Sequence, residues 1–519
     1  MCVMLVLCAA GTSIACVYQD SDRMLSNVLR ESSMHMQRLI DTLSAILAPS
    51  GSVPDTCWVF NSCSFDRIHH VLDGEDDVRS KVGVKGFALA EVPLAAIASS
   101  PTPCIVLPGC DALVPCEDDK ADIVYLRQLP DGEVEIGNGM LEVVLSAYGS
   151  MTSLRDKRTT PHREVLCVPK YSAGNHYVLY DDVPFYWDAW DVMPYHQMTG
   201  RSLNGEKKAA HIAVSSKVVR RESRIASIQF TLSNWGETGS CITTTVTILS
   251  GSPLIEFRMD VDWHEKHKLL KVEFPLAVRS SVARYETQFG YTERPTHSNQ
   301  PTDAAMFETC GHKFADLSES GYGVALLNDC KYGYSCRGST LCMSLLRAPK
   351  SPDAACDMGK HTIRYALLPH VGSILEKGAG HDVVRAAMIF NSPLIRSSGS
   401  KSISEIGVAS ASSSADILSF LTAGLCELSG SGGLVVDSMK AAEDCNGSDS
   451  PDIIIRLYES IGSRGSTFLY FNTHVTLVTR CTMSEEHVDN LSLEDSCGRR
   501  GVRVIYTPFQ VITLRVRYL

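Results

Sequence analysis

The stretch IEFRMDVDW, Ile255–Trp263, decides the fold. Ile255, Phe257, Met259, Val261 and Trp263 alternate with Glu256, Arg258, Asp260 and Asp262. A period of two sends the two sets to opposite faces of an extended chain, so the stretch reads as a half-buried antiparallel strand. Ile242, Thr244, Val246 and Ile248 repeat the pattern, as do Ile512, Leu514, Val516 and Tyr518 against Thr513, Arg515 and Arg517. Turn signals, GNG from Gly137 and SGSP from Ser250, separate such runs. Nearly everything after residue 55 reads this way. The fold class is therefore mainly β, built from packed antiparallel sandwiches.

One helix stands before the strands. Leu25, Val28, Leu29, Met36, Leu39, Ile40, Leu43, Ile46 and Leu47 follow three-and-four spacing, and Pro49 ends the run. Two seams interrupt the strands. Residues 99–120 are rich in Pro, Cys and Asp, and residues 397–433 are rich in Ser and Gly.

A length of 519 residues suits two to four domains, and 44% hydrophobic residues suffice for substantial cores. A formal charge of -11 argues against a nucleic-acid partner. The apolar start, Cys2–Ala10, has the outline of a signal-peptide h-region but lacks the basic flank, and it is too short to span a bilayer. Nineteen cysteines without a C-x-x-C pair read as free thiols of a reducing, cytoplasmic compartment. Cys104, Cys110 and Cys116, and again Cys330, Cys336 and Cys342, recur at a spacing of six that matches no metal site. The sequons at Asn446 and Asn490 are short enough to arise by chance.

The densest chemistry lies in YDDVPFYWDAWDV, Tyr180–Val192, which holds two of the five tryptophans. Two readings stand side by side. Tyr186, Trp187 and Trp190 suit the C–H face of a pyranose, while Asp181, Asp182, Asp188 and Asp191 suit its hydroxyls as charged acceptors. The same composition also fits a capped turn with core tryptophans. In LLNDCKYGYSCRGS, the polar group Asn328, Asp329 and Lys331 reads, taken alone, as a hairpin turn with a surface ion pair. In DWHEKHK, His264 and His267 are three apart beside a strand, not four apart on a helix, so a structural role is favoured over zinc. His487 to Asp489 has only the outline of a metal pair, and serine-hydrolase, P-loop and dinucleotide motifs are absent.

Long ordered segments carry a resemblance. They include NGMLEVVLSAYGSMTSLRD (138–156), GNHYVLYDDVPFYWDAWDV (174–192), WHEKHKLLKVEFP (263–275) and YETQFGYTERPTH (285–297). GHKFADLSESGYGVALLNDCKYGYSCRGS (311–339), LLRAPKSPDAACDMGKH (345–361) and YTPFQVITL (506–514) complete the set. From about residue 11 onward the chain resembles the C-terminal half of glycoside hydrolase family 38, the α-mannosidases, and within it the cytosolic/vacuolar branch.

The resemblance implies an architecture. Residues 11–50 would be a remnant of a helical middle domain, and 55–125 a small β-domain. Residues 130–395 would form a large β-sandwich of the galactose-mutarotase-like supersandwich type. A Ser/Gly-rich linker at 396–433 would lead to a C-terminal β-sandwich at 434–519. Members of the family are retaining glycosidases with an Asp nucleophile, an Asp acid/base and a zinc ion on an N-terminal α/β barrel. That barrel has no counterpart here: GTSI (11–14) matches the segment after the last zinc ligand, but Cys2–Ala10 stand where its His would be. Zinc is thus expected for the complete enzyme and none for this chain, and no catalytic carboxylate is assigned. The segment 299–312 departs from the family as well, with Thr302 and Cys310 among the replacements for tryptophans. The expected site is a mannose-oligosaccharide surface made of Asp181, Asp182, Tyr186, Trp187, Asp188, Trp190 and Asp191, with Asn328, Asp329 and Lys331 nearby. Its expected partners are that oligosaccharide and a separately encoded barrel half, with no nucleic acid and no membrane span. The alternative is a non-catalytic carbohydrate-binding or interaction protein.

Overall fold

The computed structural model describes residues 14–47, 56–60, 67–72, 78–84, 89–93, 123–167, 173–205, 211–221, 224–235, 238–376, 379–392, 395–396, 426–429, 433–445, 452–472, 474–496 and 498–518. The apolar start 2–10, the seam 99–120 with its three cysteines, most of the stretch 397–433 and the sequon at 446 lie outside the described residues. The expectation of a mainly β, antiparallel architecture holds, and among the described residues there is no α/β barrel.

A first unit covers 115–287 and 291–374, together with the start of the chain. It holds a sheet of nine strands in the order Ala213–Arg221, Ile225–Ser233, Cys241–Leu249, Ile255–Trp263, Gly359–Val371, Tyr322–Asn328, Phe314–Glu319, Val282–Thr287 and Gly290–Pro295. A six-stranded sheet runs Arg201–Ser202, His176–Asp181, Lys268–Pro275, Thr340–Arg347, Gly333–Arg337 and Thr309–Cys310. Adjacent strands pair antiparallel. The alternation at Ile255–Trp263 appears as expected: its five apolar residues are at most 2% exposed.

The two sheets meet through aromatic rings. Phe257 stacks on Tyr365 at 5.0 Å, both on the nine-stranded sheet, and Phe274 of the six-stranded sheet reaches both rings. Tyr177 crosses the same interior, with its hydroxyl 2.9 Å from those of Tyr365 and Thr244. Each buried hydroxyl thus has a partner, which removes the cost of hiding it. A five-stranded sheet over residues 125–164 adds Ile136, Val143, Leu145, Met151 and Leu154 to this core.

The second unit contains a terminal sandwich. Its sheets are Cys426–Leu428, Gly465–Phe471, Arg499–Tyr506 and Leu493–Ser496, against Leu434–Ala441, Ile453–Glu459, Val511–Tyr518, Val475–Cys481 and His487–Leu491. Strand 426–428 lies within the stretch read as a linker: its Cys426 is buried and pairs with Phe471, so the sandwich starts earlier than composition suggests. The buried Glu459 carboxylate accepts the amides of Ile461, Gly462 and Phe509. The same unit carries a three-stranded sheet of Ile395–Arg396, Thr56–Phe60 and Leu89–Pro93, and a hairpin of Arg67–Leu72 with Val78–Val84. The expected helix spans Ala15–Leu47, and much of its apolar stripe, including Leu25, Val28 and Leu29, is exposed.

Candidate functional site

Strand His176–Asp181 pairs with Lys268–Pro275 in the register Asp181↔Lys268. The chain leaves the sheet at Asp182, whose amide donates to the His267 carbonyl at 2.8 Å. Residues 183–192 then form a turn around Trp187. The Trp187 carbonyl accepts the amides of Trp190 and Asp191 at 2.7 and 2.9 Å. Trp187 has φ +56, a left-handed conformation that is costly for a bulky residue. Tyr195 closes the turn by donating its hydroxyl to the Val183 carbonyl at 2.5 Å.

The apex is aromatic and open to water. Phe185, Tyr186 and Trp187 are 79%, 75% and 70% exposed. Trp187 meets Trp190 edge-on at 6.2 Å, with their planes at 88°. Three large rings exposed in succession are not the packing of a core. The alternative of core tryptophans therefore does not describe Trp187.

The carboxylates are placed differently from one another. Asp182 is buried and paired with Arg347, whose Nε lies 2.5 Å from Oδ2 and whose second terminal nitrogen lies 3.4 Å from Oδ1. Burial pushes this carboxyl upward, while the guanidinium opposes the shift. Asp181 receives Lys268 at 2.6 Å and Arg201 at 2.9 Å. Asp188 accepts the amides of Lys350 and Ser351 at 2.6 and 3.0 Å, and its other oxygen lies 3.5 Å from His267. Asp191 offers its main-chain carbonyl to Arg347. Asp181, Asp182 and Asp188 are thus each held by a cation or by backbone amides where the chain leaves the strand.

Asn328, Asp329 and Lys331 form a turn of their own at the end of a strand in the nine-stranded sheet. The fully buried Asn328 side chain accepts the amides of Cys330 and Lys331 and donates to the His312 carbonyl. Asp329 pairs with Arg364 at 3.2 Å, and Arg364 also holds Glu256. Asp329 thus takes its cation from a distant strand, Arg364, rather than from within its own hairpin.

Several groups with a part in the site carried no sequence signal. His196 lies in the 3-10 helix Pro194–Met198 that follows the turn, is 2% exposed, and has Nδ1 2.7 Å from the Met193 carbonyl. Burial holds it near pKa 4. Beneath it the buried pair Lys271–Glu308 anchors the segment after the short helix Pro301–Ala305. Arg347 sits inside the segment LLRAPKSPD, yet nothing in that segment says what it binds.

Among the described residues no group of three or more His, Cys, Asp or Glu is placed to hold a metal ion. His264 and His267 are engaged apart, His264 with Asp262 at 2.9 Å and His267 with Asp188. Among the described residues no helix is long and apolar enough to cross a membrane.

Comparison with known proteins places this geometry. The model for the C-terminal domain of glycosyl hydrolases family 38 matches residues 136–355, and the one for that family's C-terminal beta sandwich domain matches 433–514. Alpha-mannosidase 2C1 of Mus musculus is 34% identical over 508 residues, covering 97% of this chain and 43% of its own length. The Homo sapiens alpha-mannosidase 2C1 is 36% identical over 482 residues, covering 92% and 41%. An alpha-mannosidase of Saccharomyces cerevisiae is 34% identical over 413 residues, covering 75% and 35%. The chain therefore spans less than half the length of these curated relatives. The crystal structure of an alpha-mannosidase from Enterococcus faecalis V583 shares the fold at TM-score 0.57 and 13% identity, over 90% of this chain and 51% of that one. Both matched domains come from one family, and they contain the aromatic turn, its carboxylates and the terminal sandwich: the chain belongs to glycosyl hydrolase family 38, whose C-terminal domains it carries.

Proposed function

We propose that this chain is the β-sandwich part of an α-mannosidase that hydrolyses terminal α-linked mannose in oligosaccharides with retention. In this reading it contributes substrate-site residues, while the nucleophile, the acid/base and the zinc ligands belong to a barrel portion. The observation that carries it is the exposed row Phe185, Tyr186 and Trp187, held in a strained turn with carboxylates that cations or backbone amides fix in place. The rings offer a flat apolar face to the C–H side of a mannose. Asp181, Asp188 and Asp191, with Asp329 and Lys331 as a second group, supply polar partners for hydroxyls, while the fully buried Asn328 holds the turn that presents the second group. Asp182, enclosed by Arg347, acts by holding the turn in place. Described cysteines such as Cys310, Cys356, Cys426 and Cys481 are free and buried, which suits a reducing, cytoplasmic setting.

The test combines the 519-residue chain with the portion of a curated relative that it does not match. Release of the aryl group from an aryl α-mannoside is then measured, with folding followed by circular dichroism. The mixture should cleave the substrate, and Trp187→Ala and Trp190→Ala should cut turnover sharply. Full activity in folded variants would make the turn a structural feature only. The second reading, a non-catalytic carbohydrate-binding or interaction protein, rests on the same exposed rings. Mannoside binding by the chain, with no activity in any such mixture, favours it.

A further inference from the structure

We infer that Arg347 is the positioning residue of the aromatic turn: its guanidinium sets the geometry of the Trp187–Trp190 pair. The inference rests on the mannoside reading only for what the pair would touch.

Arg347 ends strand Thr340–Arg347, whose register with Lys268–Pro275 places it opposite Leu269, and its side chain is 4% exposed. A guanidinium has five donors in a planar fork. Here all three nitrogens face the turn. Nε and one terminal nitrogen bind the Asp182 carboxylate. That same nitrogen also donates to the carbonyls of Asp188, at 2.9 Å, and Asp191. The other terminal nitrogen donates to the Ala189 carbonyl at 3.3 Å. Three carbonyls from four consecutive residues thus converge on one cation, and the turn is wound around it.

This convergence accounts for the backbone at Trp187. A left-handed bulky residue persists only where its surroundings over-determine it. The Trp187 carbonyl is fixed from inside the turn by the amides of Trp190 and Asp191, and the residues on the far side are fixed by Arg347. Without the guanidinium, three carbonyls and a buried carboxylate lose their donor, and only the hydrogen bonds within the turn and those to the Asp188 side chain remain to hold Trp187 at φ +56. A lysine cannot substitute, because a single ammonium does not span the fork.

The edge-on indoles provide the readout, since two indoles this close give an exciton couplet in circular dichroism; it is taken as the difference from Trp187→Phe, because Trp235 and Trp263, 5.9 Å apart, contribute a couplet of their own. The full chain is compared with Arg347→Ala, Arg347→Lys and Trp187→Phe, the last assigning the couplet. Both Arg347 variants should lose the couplet while keeping the β-sheet signal. Added guanidinium should restore it to Arg347→Ala and not to Arg347→Lys. Where Arg347→Ala does not fold, Asp182→Asn, which keeps the side-chain volume, should weaken the couplet. A full couplet in folded Arg347→Ala, or in Asp182→Asn where Arg347→Ala does not fold, overturns the assignment, as does a loss that guanidinium leaves unrepaired. Cleavage of the aryl α-mannoside by the wild-type chain mixed with the unmatched portion of a curated relative is read in parallel. Couplet loss with guanidinium rescue, in a chain whose mixture leaves the mannoside intact, upholds Arg347 and sinks the proposed function instead.

Discussion

The Arg347 Nε and the Asp182 Oδ2 lie 2.5 Å apart, joining residues 165 positions apart through side chains that are 4% and 1% exposed. A pair this deep gains little over an apolar pair, but breaking it leaves a charge buried alone. Asp182→Ala should therefore lower stability by about 3–5 kcal/mol. Asp182→Asn, which keeps an acceptor, should cost less. Urea unfolding monitored at the six-stranded sheet checks both, and a loss within the range of a surface substitution would refute the burial.

Trp187 presents the opposite case. At 70% exposure, replacing its ring should change stability little. Its backbone adds a second effect, because alanine also dislikes a φ of +56 whereas glycine does not. Trp187→Gly should thus be more stable than Trp187→Ala by roughly 1 kcal/mol. Thermal unfolding of the two variants decides this, and the reverse order would mean that the turn is not strained at this residue.

The sequence discloses these two residues unequally. The strands were legible because burial on one face of a sheet imposes a period of two, as at Ile255–Trp263. The aromatic turn was legible as chemistry, but not the division of labour within it. Asp181 and Asp182 are neighbours of one type, and only the end of the strand sends the first toward Lys268 and Arg201 and the second inward to Arg347. Asn328 reads as a surface polar residue, yet it is fully buried because its side chain satisfies its own turn. Such roles depend on partners from distant strands, and local pattern carries no record of those. The early start of the terminal sandwich at Cys426 was hidden for another reason: an edge strand of three residues is too short to show a period.

His196 gives the chain an acid-sensitive contribution. Burial lowers its pKa to about 4, and Met193, Glu308 and Lys271 surround it. Its folded value lies below the ordinary histidine value of about 6.5. Between the two, the unfolded chain binds the additional proton, so stability rises with pH. This contribution is complete above about 6.5 and drains away as pH falls toward 4. His196→Gln should flatten the fall in urea midpoint across that window, leaving the steeper loss at lower pH to the carboxylates. Identical profiles for the two proteins would show that His196 stays accessible to protons when folded.

Gly323 tests how rigidly the nine-stranded sheet is packed. It pairs with His370 across adjacent strands, and a Cβ placed on it would overlap both the His370 ring and the Ser318 hydroxyl. Neither neighbour can yield readily. His370 is 4% exposed, with Nε2 2.8 Å from Asp316 and Nδ1 3.0 Å from the Gly372 carbonyl. Ser318 donates to the same Asp316 carboxylate at 2.5 Å. One added methyl therefore meets a closed network, and overpacking of this kind costs about 1–3 kcal/mol. Gly323→Ala should show that loss in the wild-type background. In a His370→Ala background only the Ser318 hydroxyl still opposes the methyl, so the same substitution should cost clearly less, even though His370→Ala is itself destabilising. The double-mutant cycle isolates this coupling, because residues in contact depart from additivity. Additive losses would mean that the methyl is accommodated by a shift of the strands, and that the His370 ring does not define the packing at Gly323.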